Sequence, residues 1–287
     1  MATSPSHQLG EAIGDFFESA IINYLRPVIS RKGYYLDYRH PRPARGNRRE
    51  VIGTDLNGNK HKLDIVIEKG GSETEAGIPK AFIEMAWRRY VKHSKNKVQE
   101  IAGAILPLVE KYAKNMPFYA AVLAGEFTEN ALSQLRSQGF YVLYFSYSEI
   151  CSLFESTGLS IHWEENTSES ELQNIVDSFR ALKEEQKNRL LQNFFTTYQD
   201  RLKKLADALC EALDTTVSEV VVTPVHGITR ILESVDDAVK FIADYDEASM
   251  APVLRYEISV RYSSGDEYMM KCTNKTKAIQ FLNQYIN

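Results

Sequence analysis

Apolar residues recur at helical spacing through residues 8–30, where Leu9, Ile13, Phe16, Phe17, Ala20, Ile21 and Leu25 fall on one face. The pattern predicts an amphipathic helix that Pro27 ends, because proline lacks the N–H that a helix interior needs. Residues 34–38 (YYLDY) predict a short strand, and the stretch RHPRPARGNRRE that follows has no apolar period and predicts an exposed loop. Residues 50–54 and 60–68 predict a hairpin turned at Leu56-Asn57-Gly58-Asn59, where Asn and Gly accept positive φ. After the polar run GGSETEAGIP, residues 80–87 (KAFIEMAW) predict a buried strand. Ser94 then stands as N-cap of a helix whose apolar side includes Val98, Ile101, Ala104, Ile105 and Val109. Two further strands, over residues 118–123 and 140–145, are joined by a helix over residues 129–137. This order of elements is that of an α/β sheet with helices on its faces.

From residue 169 to 213 the pattern becomes strongly helical, and Leu191, Phe195, Tyr198, Leu202, Leu205, Leu209 and Ala212 form a seam in alternating steps of four and three. Such a seam packs against another helix, either in its own domain or across a homodimer. Near the C-terminus, Ala238-Val-Lys-Phe241-Ile-Ala-Asp-Tyr245 and Ala278-Ile-Gln-Phe281-Leu-Asn-Gln-Tyr285 repeat one helical pattern, each after a strand near residues 228–232 and 268–272. A hairpin turning at Ser263-Ser264-Gly265-Asp266 lies between them. The chain is thus expected to divide into an α/β domain (residues 1–165), a helical linker or dimerisation segment (166–214) and a small α+β accessory domain (215–287).

Charge sharpens this division. The whole chain carries a net charge of −4, yet residues 25–117 hold 19 Lys and Arg against 10 Asp and Glu, so the positive charge lies in the first half alone. That is the footprint of a local phosphate-binding face. No run approaches the ~20 apolar residues of a membrane span, and the N-terminus lacks a basic flank before an apolar core, so a soluble, cytoplasmic protein with no membrane partner is expected. Cys151, Cys210 and Cys272 fit no CxxC metal spacing and are expected as reduced core residues.

Two acids interrupt otherwise apolar strands. Asp64 stands amid Leu63, Ile65, Val66 and Ile67, and Glu84 amid Ala81, Phe82, Ile83, Met85, Ala86 and Trp87. A carboxylate in such a setting is costly without a partner. If the two strands are neighbours, both acids can converge on one hard divalent cation, with water and a phosphate oxygen completing its octahedron. Glu18, in the segment GDFFESAIINYL, offers a third acid.

In order and spacing, residues 8–147 resemble the PD-(D/E)XK nuclease superfamily. Asp64 matches the family's aspartate, Glu84 the acid of its (D/E)XK element, and Glu18 the glutamate often found on its first helix. The resemblance implies a restriction-endonuclease-like mixed sheet flanked by helices, and a Mg2+-dependent DNA endonuclease, with Mn2+ able to substitute, acting in restriction-type defence on double-stranded DNA. It implies that Asp64 and Glu84 bind the metal with the Met85 carbonyl. The motif's lysine is missing, because Glu84-Met85-Ala86 ends in alanine. The family is known for such lysines migrating, which makes Lys95 and Lys97 the catalytic candidates, with Lys62 as a third. Arg88, Arg89, Lys92 and His93, after the acidic strand, are expected to contact phosphates, and the loop with Arg39, Arg42, Arg45, Arg48 and Arg49 to clasp a duplex. The alternative is a catalytically silent DNA-binding or assembly subunit on the same fold.

Overall fold

The first helix, α1 (Pro5–Arg31), starts on Ser4, whose hydroxyl accepts the His7 N–H, with Pro5 at the first helical position. It runs through Pro27 rather than stopping there. Proline removes only one main-chain bond, and buried Ile29 anchors the turn beyond it. The computed structural model describes residues 4–247 and 252–285. They form two units, Met1–Ala113 with Pro117–Leu213, and Lys114–Met116 with Asp214–Asn287.

In the first unit, α1 is followed by β1 (Tyr34–Tyr38), β2 (Val51–Thr54), β3 (Lys60–Leu63), β4 (Ile65–Lys69), β5 (Ile78–Arg88), α2 (Ser94–Lys111), β6 (Phe118–Gly125), α3 (Glu129–Ser137), β7 (Tyr141–Ser146) and α4 (Tyr147–Glu155). The main sheet has the order β1-β4-β5-β6-β7. Its first three strands run antiparallel, and β5, β6 and β7 run parallel to one another. The expected hairpin over residues 50–68 is split: β2 and β3 pair as a separate ribbon, and the chain bends at Asp64 before β4 enters the sheet between β1 and β5. A strand serving two sheets has to break its ladder where it leaves one for the other, and Asp64 is that point.

Both faces of the sheet are covered, as sheets with parallel strands require. On one face α1 packs Leu9, Ile13, Phe17 and Ile21 against Ile65, Ile67, Ile83, Val122 and Phe145. On the other, Val98, Ile101 and Ile105 of α2 with Leu132 and Leu135 of α3 cover Val66, Phe82, Ala121 and Leu123. Ser94 is buried in the first turn of α2 rather than capping it.

The helical stretch forms α5 (Glu169–Arg180), α6 (Glu184–Thr197) and α7 (Gln199–Asp214), and it belongs to the first core rather than to a linker. Along α6 and α7 its buried positions include Leu190, Phe194, Tyr198, Leu202, Leu205 and Leu209, so the expected seam is one residue out of step in α6, where Leu191 and Phe195 are only partly buried. The cause is the break at Tyr198, which leaves α6 and α7 with separate faces. Phe194 meets Phe17, Phe145 and Tyr198 at ring-centroid distances of 5.5, 5.3 and 5.4 Å. Such aromatic pairs contribute about 0.5–1.5 kcal/mol each beyond their burial.

The second unit is a four-stranded antiparallel sheet of β8 (Val217–Pro224), β9 (Arg230–Leu232), β10 (Tyr256–Tyr262) and β11 (Glu267–Cys272), in the order β11-β10-β8-β9, with α8 (Val235–Asp244) and α9 (Lys275–Leu282). The internal duplication is visible in its caps: Ser234 and Asn274 each accept the N–H three residues on, from Asp237 and Lys277. The repeated aromatic pairs Phe241–Tyr245 and Phe281–Tyr285 both meet edge to face. None of the three cysteines is in a disulfide, Cys151 and Cys272 being buried, and no helix among the described residues is long and apolar enough to cross a membrane.

Candidate active site

Strand alternation sets the directions of the acids. Ala81 and Ile83 of β5 join the core under α1, while Phe82 and Ala86 join the core under α2, so Glu84 faces α2. Asp64 sits at the bend between β3 and β4, beside the point where β4 pairing with β5 ends at Ile65 and Ile83. The two acids satisfy the main chain that the bend frees. Asp64 Oδ2 accepts the Met85 N–H at 2.7 Å, and Glu84 Oε1 accepts the Asp64 N–H at 3.2 Å.

This placement is electrostatically expensive. Burial and then the neighbouring charge of Asp64 push the Glu84 carboxyl well above the usual carboxylate range. Burial also raises Asp64, against the Met85 N–H and the positive charges of Lys97 and Lys62. On the other side of Asp64, burial and the charges of Asp64 and Asp15 push Glu18 up to about 7, opposed by Arg39 and Lys62. Glu18, Asp64, Glu11, Asp15, Met85 and Trp87 line a cavity of about 160 Å3 under α1. Among the described residues none of Asp64, Glu84 and Glu18 forms an ion pair, and no three His, Cys, Asp or Glu side chains gather closely enough to hold a metal ion by themselves. Paired carboxylates without a cationic partner, next to a main-chain carbonyl at Met85, are nonetheless the hard oxygen donors that suit Mg2+.

Of the two candidate lysines, the helix selects one. The buried stripe of α2 passes through Ser94, Val98 and Ile101, and Lys97 lies on it, partly buried and acting on both acids. Lys95 is turned about 200° away by the 3.6-residue period and is exposed. Lys97 also meets Glu100 at 3.5 Å. Lys62, exposed on β3, acts on Asp64 and Glu18 instead.

Several of the expected phosphate contacts are structural instead. Arg42 is fully buried and donates to Asp37 Oδ2 at 2.7 Å, to Glu68 Oε2 at 2.8 Å, and to the carbonyls of Ser72 and Glu75. Arg45 pairs with Asp37 and donates to the His40 carbonyl. These two guanidinium groups organise the loop that the sequence left without a pattern. Arg89 lies 3.9 Å from the Tyr147 ring centre and donates to the Trp163 carbonyl, which withdraws it from any phosphate. Arg88 bonds the Trp87 carbonyl and sits at the edge of pairing distance from Glu100, while Lys92 is exposed and pairs with Glu165. Arg48 is exposed and folds back on the Arg45 carbonyl. The side chain of His93 lies outside the described residues.

Arg49 keeps its place at a surface, and it has companions. Arg26, Arg39 and Arg49, with Tyr38, line a groove of about 500 Å3 that also takes in Asp15 and Glu18. Arg26 follows Glu18 by eight residues on α1, a helical spacing that puts both on one face. That spacing was the available sequence signal for Arg26.

No family model matches the chain, and no curated protein matches it. Among solved structures, a protein of unknown function, AF1548, is similar with a TM-score of 0.29 and 13% identity, over 69% of this chain and 94% of that chain. A likeness at that level carries no argument about fold or chemistry.

Proposed function

We propose that the chain is a Mg2+-dependent DNA endonuclease of the PD-(D/E)XK type, restriction-type in role, with Asp64 and Glu84 as its metal-binding acids and Mn2+ able to replace Mg2+. The observation that carries this reading is that buried Glu84 and partly buried Asp64 each accept a main-chain N–H beside the other, and that neither has an ion-pair partner among the described residues. Structural ion networks also perturb carboxyl pKa values, but their counter-charges lie in contact and lower them, whereas among the described residues Asp64 and Glu84 have no such contact and are raised. The succession α1, β1, β4, β5, α2, β6 supports a restriction-endonuclease-like fold, with the β2–β3 ribbon as an insertion.

In this scheme the Asp64 and Glu84 carboxylates and the Met85 carbonyl hold the cation, with Glu18 beside Asp64 across the cavity. Bound Mg2+ supplies polarisation of the phosphoryl oxygens and a more acidic water. Lys97 takes the place of the lysine absent at residue 86, orienting the attacking water and offsetting the charge that grows on phosphorus. The water oxygen bonds to phosphorus and gives up a proton to solvent, the bond from phosphorus to the leaving sugar oxygen breaks, and that oxygen takes up a proton from solvent, so that no net proton is consumed. A homodimer that cuts both strands of a duplex would draw on a surface other than the α6–α7 seam, which is enclosed in its own unit.

The test is cleavage of plasmid and phage DNA in Mg2+, Mn2+ and EDTA by the wild-type protein, Asp64→Asn and Glu84→Gln. Metal-dependent cutting that both variants lose is the expected result, and full activity in Asp64→Asn overturns the scheme. A second reading is favoured by Ala86, which stands buried on the Glu84 face where the motif's lysine would be. In it the chain is a DNA-binding or assembly subunit that does not cut, and retained binding without cleavage in either metal selects it.

A further inference from the structure

The groove beside the acids has features that the cleavage scheme does not use. Its arginines come from three separate places: Arg26 from the last turns of α1, Arg39 from just after β1, and Arg49 from just before β2. Arg42 and Arg45, from the same loop, are fully engaged by carboxylates and carbonyls. By contrast, among the described residues the guanidinium groups of Arg39 and Arg49 make neither an ion pair nor a hydrogen bond, and both residues are exposed. Arg26 lies 5.0 Å from the centre of the Tyr38 ring, which in turn stacks on His40 at 4.4 Å. The groove adjoins the acid cavity, with Asp15 and Glu18 lining both. At about 500 Å3 it is too large for one inorganic anion.

Three convergent cations beside an aromatic stack, in an open groove, match the repeating charge of a nucleic-acid backbone. We infer that the groove walled by Arg26, Arg39 and Arg49 is the track along which a nucleic-acid strand lays its phosphodiester backbone, and that it holds the strand without any metal. The inference deepens the proposed function and rests on it for the choice of a polymeric phosphodiester as ligand. It moves the phosphate contacts from Arg42, Arg45 and Arg89 to Arg26, with Arg39 and Arg49 retained. The acids at one end leave that end of the track anionic, so the backbone is held by the arginine end.

The experiment is fluorescence anisotropy in EDTA with labelled duplex DNA, single-stranded DNA and RNA of one sequence, over a range of salt concentrations. The proteins are wild type, Arg39→Ala, Arg49→Ala, the double variant Arg39→Ala/Arg49→Ala, Arg39→Lys and, as a distant control, Arg136→Ala. Arg39 and Arg49 hold no other part of the fold, so the variants are expected to keep the wild-type thermal transition. The expected result is a loss of about tenfold in affinity for the double variant, and a salt slope lower by about one for each phosphate contact removed. Arg39→Lys should keep most of the affinity, and Arg136→Ala should bind like wild type. The polymer bound most tightly identifies the source of the backbone. Equal affinity in wild type and double variant, or no binding of any of the three polymers, overturns the inference. Cleavage with unchanged binding in the arginine variants removes the track and leaves the nuclease; arginine-dependent binding without cleavage does the reverse.

Discussion

Asp64 and Glu84 each accept a hydrogen bond from the main chain beside the other, Met85 N–H to Asp64 Oδ2 at 2.7 Å and Asp64 N–H to Glu84 Oε1 at 3.2 Å. The contacts lock the bend between β3 and β4 onto the middle of β5. They also hold two carboxyl groups together in a setting whose burial disfavours charge on either. The fold therefore holds two carboxyl groups where charge on either is disfavoured, a setting that a bound cation would relieve.

Replacing the Glu84 carboxylate by its amide isostere relieves the crowding. Glu84→Gln is expected to stabilise the metal-free protein by about 0.5–2 kcal/mol in urea denaturation. Mg2+ should raise the melting temperature of wild type and leave that of the variant unchanged, because a ligand stabilises only a state that binds it. A variant less stable than wild type in EDTA would show that Glu84 is a structural residue.

Arg42 predicts the opposite outcome. It is fully buried and joins Asp37, Glu68 and two loop carbonyls, so Arg42→Ala leaves two carboxylates buried without their cation. A loss of about 3–5 kcal/mol is expected. Denaturation midpoints of Arg42→Ala and Arg49→Ala, measured side by side, should separate the structural arginine from the surface one.

Glu149 gives the pH dependence a sign. Burial alone would raise its carboxyl, but the Arg201 guanidinium at 2.5 Å and the Ser146 N–H and hydroxyl hold it below the usual range. The folded state thus binds this proton less readily than the unfolded chain. Its contribution is complete above the ordinary carboxylate pKa and is lost as pH falls through the lower, folded one. Arg201 is exposed enough that the effect is at most about 1 kcal/mol. Thermal melts of Arg201→Ala and wild type should differ at neutral pH and converge in acid.

Gly125 closes β6 at φ +104°, and a Cβ there would stand 2.0 Å from the Arg88 carbonyl oxygen. That oxygen accepts the Glu126 N–H, so it cannot simply withdraw. Gly125→Ala is expected to cost at least about 1–3 kcal/mol, read as a lower urea midpoint, whereas Gly103→Ala, in a helix with open space around it, should be neutral or stabilising.

By itself the sequence determined whatever rests on local pattern. The apolar face of α1, the buried strand β5, the helix Glu129–Ser137 and the repeated strand-then-helix pattern of the second unit all follow from periodicity, because a residue's burial shapes the spacing of its neighbours in the chain. Asp64 and Glu84 stood out for the same reason, as charges in apolar runs. Tertiary structure alone decided how such segments meet. That β3 and β4 belong to different sheets, with Asp64 at the break, depends on pairing with β2, β1 and β5, which no local spacing encodes. Arg42 and Arg49 stand seven residues apart in one featureless loop, and only the arrival of Asp37 and Glu68 beside Arg42 makes it a core residue. An arginine's role is set by the carboxylates that surround it in space, and of those around Arg42 the fold brings Glu68 from 26 residues away along the chain.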